Sequence, residues 1–186
     1  MKRVVLWMSK VSLMMTALVA VASLSGCLRS DFPDVPAFDP AAQLEEDTAL
    51  IEDYLTENGE TATRTNSGLY YQINDPGVGD NIISGKVVRV DYVGYTLDGR
   101  VFDTSKSLVA QGHNIYEPAR DYEPIEFTVG ADQVIEGWEE GMLYLKEGAS
   151  ATLLIPSGLA YGPYGTSSGQ FRNTVLVFDV DIVEVK

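Results

Sequence analysis

From Ala41 to Glu57, Leu44, Thr48, Ile51 and Leu55 recur at spacings of four, three and four, with Glu45, Glu46, Glu52 and Asp53 between them. That period predicts an amphipathic helix with one narrow apolar stripe. Asp39-Pro40 supplies an N-cap followed by a proline suited to the first helical position, and Asn58-Gly59 suits the helix end. The stripe needs cover, either from the domain that follows or from a second copy of the helix in a homodimer through residues 41–57.

After a polar stretch over Gly59–Ser67 the period changes to two. Leu69–Ile73 reads as a strand closed by the turn Asp75-Pro76-Gly77. Val88, Val90 and Tyr92 alternate with Arg89, Asp91 and Val93, and the turn at Asp98-Gly99 predicts a hairpin into Val101-Phe102. Ile125–Val129 and Ala151–Ile155 are further strands, and Leu176, Phe178, Val180 and Ile182 mark one face of a long final strand. Among these, Val134, Ile135, Trp138 and Met142 fall at helical spacing. The pattern predicts an α+β fold: a mainly antiparallel sheet wrapped around one short helix and preceded by the N-terminal amphipathic helix.

The first residues follow neither period. Lys2, Arg3 and Lys10 precede an uncharged run, Val11–Leu24, that ends in Leu24-Ser25-Gly26-Cys27. A basic start, a short apolar core and small residues at a boundary make an export signal. The run is shorter than the roughly 20 residues of a spanning helix. Leu-Ser-Gly-Cys resembles the lipobox of bacterial lipoproteins, which implies cleavage after Gly26, lipid on Cys27 and attachment to a membrane of the bacterial cell envelope. Leu28 following the cysteine favours the outer membrane. Pro33, Pro36 and Pro40 then mark an extended tether. The expected organisation is signal 1–26, lipidated tether 27–40, helix and linker 41–67, and a β-rich domain 68–186.

Composition narrows the chemistry. The formal charge is −14, and −17 once the three basic residues leave with the signal, which argues against a nucleic-acid partner. Cys27 and His113 are the only cysteine and histidine. A Cys/His zinc site, an internal disulfide and a Ser-His-Asp triad with a spare histidine all lack parts.

Five segments carry a family resemblance: Val90–Asp103, Phe127–Gly130, Gln133–Met142, Ala160–Gly162 and Val175–Val180. In content and order they resemble the FKBP family of peptidyl-prolyl cis-trans isomerases. The resemblance implies a pocket floored by Trp138, with Tyr92, Phe102, Val134, Ile135, Tyr161 and Phe178 as walls and Asp103 at the rim near Tyr92. It also implies that the Ile135 backbone N–H and the Tyr161 hydroxyl hold carbonyls of a bound chain. Proline-containing unfolded or exported polypeptides would be the substrates, and neither metal nor cofactor is required.

Three places depart from the family pattern. Ile125 stands where the family often has an aromatic, and Gln170-Phe171-Arg172 replaces the common Ile-Pro-Pro segment, placing Gln170 and Phe171 among the expected substrate contacts. The stretch 104–124 is longer than in the minimal family domain and reads as a solvated surface insertion, with an extra pocket wall or lid as the alternative. A non-catalytic chaperone or envelope interaction module on the same fold is the competing function.

Overall fold

The computed structural model describes residues 37–186; the signal segment, Cys27 and the tether up to Pro36 lie outside the described residues. Helix α1 spans Pro40–Asn58. The Asp39 carboxylate accepts from Ala41 N at 2.9 Å and Ala42 N at 3.3 Å, pairing two of the donors that a helix start leaves free. Gly59 closes the helix at φ 66°, a left-handed conformation that costs glycine least.

The strands are β1 (Thr63–Arg64), β2 (Tyr70–Asp75), β3 (Val87–Thr96), β4 (Val101–Thr104), β5 (Ile125–Thr128), β6 (Ser150–Ile155) and β7 (Leu176–Val185). They form one antiparallel sheet in the order β1-β2-β6-β7-β3-β4, and β5 pairs with the same edge of β3 as β4 does. Alternation assigns the two faces. Val88, Val90, Tyr92, Ala151, Leu153, Ile155, Leu176, Phe178, Val180 and Ile182 all enter the larger core. Tyr70, Leu154, Val175 and Val177 point the other way and meet Ile51 and Leu55 of α1. The helix stripe is therefore covered by its own chain. Burying a side chain such as Ile51 contributes roughly 1.5–3 kcal/mol. No described helix is long and apolar enough to cross a membrane.

Two elements differ from the sequence expectation. The central helix α3 covers Glu136–Met142, so Val134 and Ile135 precede it, with Ile135 extended at φ −63°, ψ 149°. Hydrophobic spacing cannot locate that boundary, because Val134 and Ile135 pack, half-buried, against the same core as the helix. No side chain caps this helix start, and a contact from within the helix holds the loop before it. The Glu139 carboxylate accepts from Gly130 N at 2.6 Å and Gln133 N at 3.2 Å, fastening the incoming loop to the first turn of α3.

The stretch 104–124 is more than a solvated insertion. It contains helix α2 (Ser107–Gly112), anchored by the wholly buried Ala110, and it then brings Arg120 back to Asp103 and Tyr92 without lining the cavity itself.

Glycine sets the depth of α3. A β-carbon at Gly141 would lie 2.8 Å from Leu153 Cδ1, and one at Gly137 would collide with Ile155 Cγ2. The i, i+4 pair lets α3 sit close against β6.

Candidate active site

Trp138 projects from α3 into a ring of aromatics. Its indole meets Tyr92 edge-on at 5.3 Å and Phe178 edge-on at 5.3 Å, with Phe127 tilted against it at 5.9 Å. Edge-to-face contacts of this kind add about 0.5–1.5 kcal/mol beyond burial and fix ring orientation. Phe102 meets Phe178 edge-on at 5.6 Å above Gly94, where a β-carbon would lie 2.7 Å from one ring and 2.9 Å from the other.

The packing leaves a cavity of about 350 Å³. Trp138 forms its floor, and Tyr92, Phe102, Phe178, Val134, Ile135, Ile125 and Tyr161 line it with Asp103 at the rim. Asp132 and Gln133 line it too. Among the described residues the buried Trp138 Nε1–H has no acceptor, an unpaired donor in an otherwise apolar floor.

The Asp103 side of the rim is polar and hydrogen-bonded. Asp103 Oδ2 accepts from the Tyr92 hydroxyl at 2.7 Å, while Oδ1 accepts from Thr104 N at 2.9 Å and Arg120 Nη1 at 2.6 Å. Arg120 Nη2 donates to the Tyr92 oxygen at 3.2 Å, and the guanidinium lies 5.2 Å over the Tyr122 ring, itself stacked on Tyr116. Burial, and then the hydrogen bond to Asp103 and its charge, push the Tyr92 phenol far above its usual pKa. Burial and the Asp103 charge raise Tyr161 as well. Both hydroxyls stay neutral and keep their protons as donors. Neither the Tyr161 hydroxyl nor the Ile135 N–H has an acceptor among the described residues.

Chemically, this is an apolar slot with neutral donors at its mouth. Asp103 is held by three donors and positions Tyr92, and the slot contains no nucleophile paired with a base. Such a site can strip water from a small apolar ring and hold flanking carbonyls.

The match to known proteins agrees with this geometry. Residues 79–183 match the model of the FKBP-type peptidyl-prolyl cis-trans isomerases. The chain belongs to this family. A probable FKBP-type isomerase of Neisseria meningitidis serogroup B is 37% identical over 147 residues, covering 79% of this chain and 48% of its own. Crystallised FkpA from Escherichia coli superposes with a TM-score of 0.59 at 34% identity, covering 78% of this chain and 64% of that one. A peptidyl-prolyl cis-trans isomerase from Pseudomonas syringae pv. tomato gives a TM-score of 0.60 at 26% identity, covering 81% of this chain and 98% of that one. The chain spans about half the length of the Neisseria relative and of the Escherichia coli FkpA sequence.

Within this FKBP-type domain, two expected contacts fall elsewhere. Gln170 is exposed and outside the cavity lining, its backbone tied to Thr166 by bonds of 2.8 and 3.2 Å. Phe171 stands behind the wall, 4.7 Å from Phe102 and 5.9 Å from Tyr161. It adopts φ 60°, uncommon for a bulky side chain, which turns the loop so that the ring faces inward. The sequence reading missed Arg120, although it is the only Lys or Arg between Ser107 and Pro124. It also left Gln133 without a role; its side-chain oxygen accepts from Thr128 N at 2.7 Å and braces the loop leading to Ile135.

Proposed function

We propose that this chain is a peptidyl-prolyl cis-trans isomerase that accelerates rotation about Xaa-Pro bonds in exported proteins as they fold in the bacterial cell envelope. The observation that carries the reading is the Trp138-floored apolar pocket with neutral donors at its edge. Rotation about the peptide bond loses amide resonance and crosses roughly 18–20 kcal/mol. The twisted amide is less dipolar than the planar one, so a dry apolar pocket favours the transition state over the ground state. Tyr161 and the Ile135 N–H hold carbonyls beside the proline, and the Tyr92–Asp103–Arg120 group keeps the rim in place. A barrier lowered by about 5 kcal/mol gives a gain of several thousandfold. No covalent intermediate is needed.

The N-terminal features complete the proposal. Cleavage after Gly26 leaves Cys27 to carry lipid, and residues 27–40 tether the domain to the outer membrane. Cys27→Ser is expected to abolish lipid labelling in cells. A proline-limited refolding assay tests the activity: acceleration supports the isomerase reading, whereas binding to unfolded chain at the unassisted refolding rate would assign a chaperone role instead.

A further inference from the structure

Helix α1 precedes the part of the chain that matches the family model, residues 79–183. Its apolar stripe accounts for its docking, but one residue on the docked side is charged. Asp47 is wholly buried, three residues after Leu44 and four before Ile51, and has no Lys or Arg partner among the described residues. A buried carboxylate is costly unless donors surround it, and an apolar residue would have served docking alone.

The donors it meets lie beside the pocket. Asp47 Oδ2 accepts from Ser157 N at 2.7 Å and Ser157 Oγ at 2.6 Å, and Oδ1 accepts from Gln43 Nε2 at 3.0 Å. Ser157 is wholly buried as well, in the 3₁₀ turn Ser157–Leu159 that follows β6. Its carbonyl accepts from Ala160 N at 3.1 Å and Gly162 N at 2.8 Å. Those two amides bracket Tyr161. Farther on, Gly162 O accepts from Asn173 N at 2.9 Å, tying in the segment that holds Phe171 behind the wall.

We propose that α1 is a working part of the isomerase domain: Asp47 is a positioning residue that sets the Tyr161 wall of the pocket by fixing Ser157 from the opposite face of the sheet. The inference rests on the isomerase reading for its effect on rate. Its structural content, an ordered Tyr161 turn held by Asp47, stands separately. Carboxylate hydrogen bonds to a backbone amide and a hydroxyl define an orientation that an apolar contact does not.

The test uses the full chain with two readouts: kcat/KM on a short Xaa-Pro peptide, and amide hydrogen exchange at Ala160 and Gly162. Asp47→Ala is expected to lower kcat/KM about tenfold, since small misplacements of a binding group are expensive in rate. It is also expected to speed exchange at Gly162 about tenfold relative to amides in β3 and β7, as local opening becomes easier. Asp47→Asn, whose side-chain oxygen can still accept from Ser157 N, should recover part of both effects. Adding Asp47→Ala to Tyr161→Phe should cost less than about twofold more in kcat/KM, because both changes remove the same contact.

Unchanged exchange at Gly162 in folded Asp47→Ala protein would overturn the proposal, as would fully additive losses in the double variant. If Asp47→Ala does not fold, Ser157→Ala and Asp47→Asn carry the test: both must speed exchange at Gly162, and unchanged exchange in both overturns it. A wild-type chain that does not accelerate isomerisation sinks the isomerase reading, while the exchange result still decides whether Asp47 holds the turn.

Discussion

Helices α3 and α1 close opposite faces of the same sheet in different ways. The seven residues of α3 present Gly137 and Gly141 to β6, so the helix backbone approaches the sheet and leaves the Trp138 ring to floor a cavity. The nineteen residues of α1 lay Ile51 and Leu55 on Tyr70, Leu154 and Val177. One face is built around a space, the other around contact. Stability and chemistry are thus partly separable, with the polar link from Asp47 to Ser157 joining the two faces.

Trp138→Ala should break the first face most severely. Deleting a core aromatic costs about 3–5 kcal/mol, read in a denaturant melt, and isomerase activity should vanish along with the pocket floor. Leu55→Ala probes the other face. It should cost about 2–3 kcal/mol of stability yet leave kcat/KM within about twofold in the folded protein. An equal loss of activity there would show that the faces are not separable.

Arg120→Gln sharpens the comparison at the rim. The Arg120–Asp103 pair is more than one-third exposed, so its loss should cost less than about 1 kcal/mol of stability. Activity should nevertheless fall severalfold, because Tyr92 and Asp103 lose a fixed partner. The smallest effect is expected at high pH. Tyr92 is raised by burial and by Asp103, and Tyr95 by burial and by Asp179, so the folded state holds these protons more tightly than the unfolded chain. Their contribution is full below the unfolded value of about 10 and is lost as pH rises above it. Thermal melts should therefore show declining stability above that pH, with a shallower decline in Tyr92→Phe.

Much of this division was legible in the sequence. Burial writes its period directly into the chain, so α1 and the long β7 strand follow from spacing, while the residue types of Asp39-Pro40, Asn58-Gly59 and Asp98-Gly99 mark the helix ends and the β3–β4 hairpin. The resemblance placed Trp138, Tyr92, Phe102, Tyr161 and Phe178, and these residues do converge on one cavity. Contacts made by a loop returning to the pocket leave no period. Arg120 reaches Asp103 across 17 positions, and nothing local to either residue encodes the meeting. Gln170 fails for a related reason: a loop residue's neighbours depend on the turn geometry around it, here the link to Thr166 and the φ of Phe171. Asp47 did carry a signal, a charge on the docked side of an amphipathic helix, but its meaning required Ser157, 110 residues away.

The most direct test of the central claim is the rate of cis-to-trans exchange in a short Xaa-Pro peptide, followed by NMR at equilibrium with and without the protein. Exchange should accelerate by orders of magnitude at catalytic protein concentration, and Trp138→Ala should lose the acceleration. Exchange at the unassisted rate in the presence of folded protein that binds the peptide would contradict that claim.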